Sequence, residues 1–364
     1  MNKMEKIWSF TIQLGFNMWR DENSTPENDG PFQCQSTGHY QTKMLTEKET
    51  WRRVVDQLPA FGVNTLVVDL GEGVQYKSHP ELAVEGAWTV EELKEELARA
   101  RALGLEVIPK MNFSSYHDAW LTPYCAQKGT AVYDKVVADL IDEACEIFDS
   151  PRFVHLGMDE EEFPNSPRRT NWWHNDYERT NTTPRDEEAY FSDLAKMVAQ
   201  VEKNGARAWI VGDYYCTHPE AFLKRCPKSC VLSMSFWDRI ILKPDGSYPD
   251  RPIYDEIRAL HAAGFDQIPE ASDWTCHQNI PQFVYFYMEF GMVDEQLLGF
   301  NANPMQATVD LNYYTLLNNA NRVKFSREMF EDPAVQATAA AYYASISNDA
   351  VAKARGKVVE EEIG

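Results

Sequence analysis

The sequence holds no apolar run approaching the roughly 20 residues that a membrane-spanning helix requires. Its start, Met1-Asn2-Lys3-Met4-Glu5-Lys6-Ile7, has no apolar stretch of signal-peptide length, so a cytoplasmic protein without membrane attachment is expected. Basic residues are scarce: 35 Lys and Arg stand against 56 Asp and Glu, for a net charge of −21. A phosphate backbone is gripped by clustered Lys and Arg, so nucleic acid is excluded as a partner. Cysteine is sparse too. Seven residues, an odd number without framework spacing, fit reduced thiols rather than disulfides. Cys226 and Cys230, with Cys216 and His218 nearby, match no strong zinc spacing, and neither a metal nor a cofactor is expected. No Gly-x-Gly-x-x-Gly follows the first apolar run, which sets a doubly wound dinucleotide-binding sheet behind other α/β folds.

What is present is a globular composition, 364 residues with 44% hydrophobic and 25% charged, large enough for a substantial core. A unit recurs in which an amphipathic helix ends at glycine and a short apolar run follows. Its copies are centred on Gly62, Gly104, Gly205 and Gly264, each placed to give the left-handed residue that ends a helix. Thr46-Glu47-Lys48-Glu49 and Thr89-Val90-Glu91-Glu92 read as capping boxes, and Thr183-Pro184 as a further helix start. Strands are expected near residues 7–17, 63–69, 105–111, 152–158, 206–213, 231–237, 265–270 and 297–302. Eight strands alternating with helices predict a single (β/α)8 barrel over residues 1–330, with the segment after 307 as its closing helix. Residues 331–364, rich in Ala, Glu and Lys, read as a helical extension packed on it.

The run Phe153-Val154-His155-Leu156-Gly157-Met158-Asp159-Glu160-Glu161-Glu162 passes from a buried strand directly into four acids. Neighbouring carboxylates repel, so at least one pKa should rise, as a general acid near neutral pH requires. In a barrel, functional residues sit at the carboxyl ends of strands. Those positions hold Asn17, Trp19 and Arg20; Asp69 and Glu72; Lys110, Asn112 and His117; Asp159 and Glu160; Asp213, Tyr214 and Tyr215; Trp237 and Asp238; Glu270, Asp273 and Trp274; Asn301 and Asn303. Acids, amides and large aromatics suit a carbohydrate, whose hydroxyls need polar partners and whose ring faces stack on aromatics. Residues 163–183, with Arg168, Arg169, Trp172 and Trp173, form a long loop that either walls the leaving-sugar site or is a surface excursion.

The motif His155-Leu156-Gly157-Met158-Asp159-Glu160 resembles the strand-four signature of glycoside hydrolase family 20, the β-N-acetylhexosaminidases, with Met158 where a second glycine is usual. Gly86-Ala87-Trp88-Thr89-Val90-Glu91-Glu92-Leu93 and the run from Ala100 to Pro109 resemble the family's second helix and third strand, and Arg20 stands where the family keeps a sugar-binding arginine. Around strand three the family's Pro-Glu appears as Pro109-Lys110, and strand eight has Asn301 and Asn303 in place of the usual Trp and Glu.

The resemblance implies a retaining exo-hydrolase for a terminal N-acetylhexosamine. In it Glu160 protonates the leaving oxygen, and Asp159 orients the 2-acetamido group that attacks C1, the substrate-assisted exception to the two-carboxylate scheme. Arg20, His117, His155, Asp213, Tyr214, Trp237, Asp238, Glu270, Trp274 and Asn301 are the expected substrate-binding residues. N-acetylglucosamine and N-acetylgalactosamine both stay open, as does a homo-oligomer. Two other readings stand beside it: an ordinary retaining glycosidase using Glu160 and Glu270, and a sugar-binding barrel without catalysis.

Overall fold

Apolar β-branched runs alternate with amphipathic helices, and the chain folds accordingly. The computed structural model describes residues 5–18, 40–161, 185–236, 252–272 and 279–347. Among the described residues eight parallel strands form the central sheet: β1 (Ile7–Gln13), β2 (Thr65–Asp69), β3 (Glu106–Lys110), β4 (Phe153–His155), β5 (Arg207–Val211), β6 (Val231–Ser233 and Ser235–Phe236), β7 (Asp266–Gln267 and Glu270–Ala271) and β8 (Gly299–Ala302). Each pairs with the next, and β8 returns to β1 through Ile7 opposite Gly299 and Phe10 opposite Ala302. The ring is closed, with short breaks in β6 and β7, and the fold is the single (β/α)8 barrel that the sequence predicts.

The helices are α1 (Lys48–Gln57), α2 (Val90–Ala102), α3 (Ala131–Ile147), α4 (Glu187–Lys203), α5 (Pro219–Arg225), α6 (Pro252–Ala262), α7 (Asn279–Glu289), α8 (Tyr313–Glu331) and α9 (Pro333–Ser347). α2 starts as expected: Thr89 Oγ1 accepts from Glu92 N at 3.1 Å while Glu92 Oε2 accepts from Thr89 N at 3.0 Å. Its apolar face, Val90, Leu93, Leu97 and Ala100, is buried. All four expected glycines, Gly62, Gly104, Gly205 and Gly264, are left-handed, with φ of 73°, 86°, 77° and 82°.

Three helix starts differ from the sequence reading, and two strands stop short of it, β1 at Gln13 rather than 17 and β4 at His155 rather than 158. Thr46 does not cap α1; its hydroxyl donates to the carbonyls of Gln13 and Leu14, tying the segment to the end of β1, and Glu47 takes the capping position. α4 is capped by Asp186, whose side chain accepts from Ala189 N, so the helix begins beyond Thr183-Pro184, which lies outside the described residues. The closing helix begins at Tyr313, because residues 303–312 form the loop after β8 and a short 3-10 turn. After it, α9 packs Tyr343 with its ring 4.9 Å from that of Tyr285 in α7.

Two cores result. The outer faces of the strands and the helices share the large one, which holds Trp8, Phe10, Leu66, Val68, Val107, Leu194 and Phe283. Within the barrel lies a small apolar plug of Ile7, Val67, Ile108, Phe153, Trp209, Val231 and Ile268. Above it, towards the carboxyl ends, the same inward positions turn polar. The register aligns Gln13, Asp69, Lys110 and His155 across adjacent strands, and Ser9, Asn301, Glu270 and Ser235 across others. Barrel interiors ordinarily close with branched apolar layers. A charged upper layer is costly unless it serves a site.

Candidate active site

β4 ends at His155, where the chain leaves the ladder in a run of left-handed residues: Gly157 (φ 70°), Met158 (φ 68°) and Glu160 (φ 56°). Glycine is required at 157, because a Cβ there would stand 2.0 Å from Asn112 Oδ1. Met158 and Glu160 hold conformations that cost non-glycine residues on the order of 1 kcal/mol or more, strain that concentrates at functional sites. The bend cancels the strand's alternation. Asp159 and Glu160 therefore face the same imidazole: His117 Nδ1 lies 3.2 Å from Asp159 Oδ2 and its Nε2 lies 3.3 Å from Glu160 Oε2.

Each member is held from behind. Asn112 Nδ2 donates to Asp159 Oδ1 at 2.8 Å, and Ser114 Oγ is 3.1 Å from His117 Nδ1. The backbone N–H of Glu160 donates to Asp213 Oδ2 at 3.0 Å. His117 is 4% exposed, whereas the side chains of Asp159 and Glu160 are 25% and 34% exposed, so the carboxylates face outward and the imidazole lies beneath. Burial works against a charge on His117, but the two carboxylates push it up to about 10. Burial would raise Asp159; His117, Lys110 and the bond from Asn112 outweigh it and hold this carboxyl well below the usual range. The acidic run was expected to raise a pKa. At Asp159 the opposite holds, because a cation sits between the two acids.

The floor of the barrel mouth is a second charged group. Lys110 Nζ bonds Asp69 Oδ2 at 2.6 Å, and although burial opposes its charge, Asp69, Glu270 and Asp159 keep it an ammonium. Glu270 is 3% exposed and accepts from Asn301 Nδ2 at 2.6 Å and Asn303 Nδ2 at 3.3 Å. Burial pushes its carboxyl up, against the pull of Lys110 and the two amides. Glu72, pushed up to about 7 by burial, accepts from the backbone N–H groups of Phe16 at 2.6 Å and Asn17 at 3.1 Å, and so fixes the chain leaving β1.

Of the residues read from the sequence, His117, Asp159, Glu160 and Asp213 come together, and Glu270 and Asn301 lie on the floor beside Lys110. His155 is buried against Trp209, ring centroids 4.7 Å apart, and accepts from Gly157 N on Nδ1, which leaves the proton on Nε2. Burial, then Lys110, hold it neutral. Tyr214 is turned away from the mouth: the 3-10 turn Asp213–Cys216 sends its ring outward, stacked 3.8 Å from Tyr190 and 4.5 Å from His218. Arg20, Trp237, Asp238 and Trp274, and the loop 163–183, lie outside the described residues. Asn112, Lys110 and Asp69 were legible as strand-end residues but not as members of the site; their buried polar character was the available signal. Among the described residues, no three His, Cys, Asp or Glu side chains are grouped to hold a metal ion, and no helix is long and apolar enough to cross a membrane.

No protein-family model and no curated protein matches the chain by sequence. Solved structures do match its fold. A mutant Streptomyces plicatus β-hexosaminidase in complex with GlcNAc superposes with a TM-score of 0.58 at 13% identity, covering 88% of this chain and 63% of that one. A β-N-acetylhexosaminidase from Bacteroides fragilis gives 0.54 at 16%, covering 86% and 64%. A family 20 exo-β-N-acetylglucosaminidase from Vibrio harveyi, in complex with N-acetylglucosamine, gives 0.54 at 13%, covering 87% and 54%. The chain thus spans 54% to 64% of the length of these three proteins. At such identities the likeness carries the fold, and this chain is a (β/α)8 barrel of the kind seen in the family 20 β-N-acetylhexosaminidases.

Proposed function

We propose that the barrel is a glycoside hydrolase, a retaining exo-β-N-acetylhexosaminidase that uses the substrate's own 2-acetamido group as nucleophile. The observation that carries this reading is the state of Asp159: a partly exposed carboxylate at the barrel mouth, fixed by Asn112 and His117 and held ionised. Such a group cannot donate a proton, but it is suited to orient an amide N–H and to stabilise the positive charge that develops as the acetamido oxygen attacks C1. Glu160, beside it, gives its proton to the glycosidic oxygen as the C1–O bond breaks. It then takes a proton from the water that opens the oxazolinium ring, so the sugar leaves with its configuration retained. Asp213 keeps the Glu160 backbone in place. Arg20, Trp237, Asp238 and Trp274 bind sugar hydroxyls and faces in this reading, with Asn301 and Glu270 setting the floor of the pocket. Both N-acetylglucosamine and N-acetylgalactosamine are accommodated by it.

Glu270 is poorly placed to be a covalent nucleophile. It is buried, both its oxygens accept hydrogen bonds from amides, and its carboxyl is pushed towards the neutral form. A panel of para-nitrophenyl glycosides with and without the 2-acetamido group tests the assignment. Turnover is expected only for the acetamido sugars, with a thiazoline mimic of the intermediate inhibiting far more strongly than the product sugar. Asp159→Asn should lose most activity, Glu160→Gln should lose turnover of substrates with poor leaving groups, and Glu270→Gln should matter far less. Trapping a 2-fluoro sugar on Glu270 would hand the chemistry to Glu160 and Glu270. Binding without turnover of any glycoside would make the barrel a lectin.

A further inference from the structure

Glu161 follows the two proposed catalytic acids directly, yet its side chain is wholly buried and the hydrolytic reaction leaves it unused. Its Oε1 accepts from Arg185 Nη1 at 2.5 Å and from Ser115 N at 2.8 Å, and its Oε2 accepts from Ser115 Oγ at 2.8 Å. Arg185, itself buried, spends its other donors on Phe113 O at 2.9 Å, Asp193 Oδ2 of α4 at 2.8 Å and Tyr133 Oη of α3 at 2.9 Å. One guanidinium and one carboxylate therefore join the loop after β3, the bend after β4, and the two helices behind them.

Burying this many charges is expensive, and replacing such a cluster with apolar side chains is often neutral or better for stability. Its placement points to a different role. Ser115 sits in the turn that carries His117, whose N–H donates to Ser114 O. Glu161 sits next to Glu160, which is held at φ 56°. Asp213 accepts from the backbone N–H of Glu160, and the next residue, Glu161, is anchored by Ser115 and Arg185, so Glu160 is held on both sides. The same two bonds to Ser115 tie the His117 turn to the bend that carries both carboxylates.

We propose that Glu161, Arg185 and Ser115 form a positioning clamp that holds the His117 turn against the Asp159-Glu160 bend at the distance the chemistry needs. This rests on the hexosaminidase reading for its kinetic consequence, though not for its structural one. Misplacement by about 1 Å costs up to roughly 100-fold in rate. Glu161→Gln, which keeps the shape and removes the charge, should lower kcat on an acetamido glycoside by about 10- to 100-fold while KM moves less than about 3-fold. Ser115→Ala, which removes one hydroxyl and no charge, should lower kcat in the same direction by less, at nearly unchanged melting temperature.

The readout that a merely structural role would not move is the titration of the His117 imidazole, followed by NMR and assigned through its loss in His117→Asn. Asp159 and Glu160 face that ring directly, with Ser114 beside it and Asp69 and Lys110 further below. In both variants the titration should fall towards that of an ordinary histidine as the carboxylates drift away. An unmoved titration in Ser115→Ala overturns the clamp, as does a kcat loss that only tracks the fall in melting temperature. If Glu161→Gln does not fold, Ser115→Ala decides alone. If the wild-type protein turns over no glycoside, the hydrolase reading fails, and the titration still decides the clamp.

Discussion

His117 is charged at neutral pH because two carboxylates flank it, and that has a consequence for stability. Its folded value of about 10 compares with about 6.5 in an unfolded chain. A raised value means that the contribution is fully present below about pH 6.5 and is lost as the pH climbs through about 10. Asp159 is shifted downward, so its contribution is present above the ordinary carboxylate range and is lost only in strong acid. Thermal melts between pH 6 and pH 10 should therefore show a steeper decline for the wild type than for His117→Gln. Parallel curves would mean that the imidazole is not charged in the folded protein.

At the scale of elements, closure of the barrel depends on one small residue. A Cβ on Gly299 of β8 would stand 2.0 Å from Ile7 O and 2.5 Å from Ile7 Cβ in β1. The first obstacle is backbone, so no rotamer change relieves it. Gly299→Ala should cost at least about 2 kcal/mol in urea unfolding, at the upper end of overpacking effects. Gly104→Ala is the comparison: its Cβ would meet nothing within 4 Å, and only the left-handed backbone is strained, for about 1 kcal/mol. Equal costs at the two sites would show that β8 and β1 can separate without loss.

For the whole molecule, the net charge of −21 dominates. Many exposed pairs, such as Lys43 with Glu85 and Lys77 with Glu91, are local and worth little each. The unpaired excess of acid repels itself across the surface. Added salt shortens the Debye length from about 30 Å at 0.01 M to about 10 Å at 0.1 M, so the melting temperature should rise over that range of NaCl. A fall would show that surface ion pairs, not net repulsion, govern stability.

Much of this protein is decided by local chemistry that a sequence displays. The glycines 62, 104, 205 and 264 terminate helices and segments because only they take the left-handed backbone cheaply, and the apolar runs after them are strands wherever they occur. From those repeats the barrel follows, and with it the set of strand-end residues. The tertiary structure alone decided three further things. It paired Thr46 with β1 rather than with its own helix, since a hydroxyl takes whichever carbonyl is near. It turned Tyr214 into the helix layer through one 3-10 turn. It set His117 between Asp159 and Glu160, which reversed the charge logic of the acidic run: repulsion between neighbours is legible in one dimension, but a cation inserted from the loop after another strand is not. The identity of Glu161 as a clamp belongs there too, because its partners Ser115 and Arg185 lie 46 and 24 residues away, and long-range pairing is fixed only when the chain closes on itself.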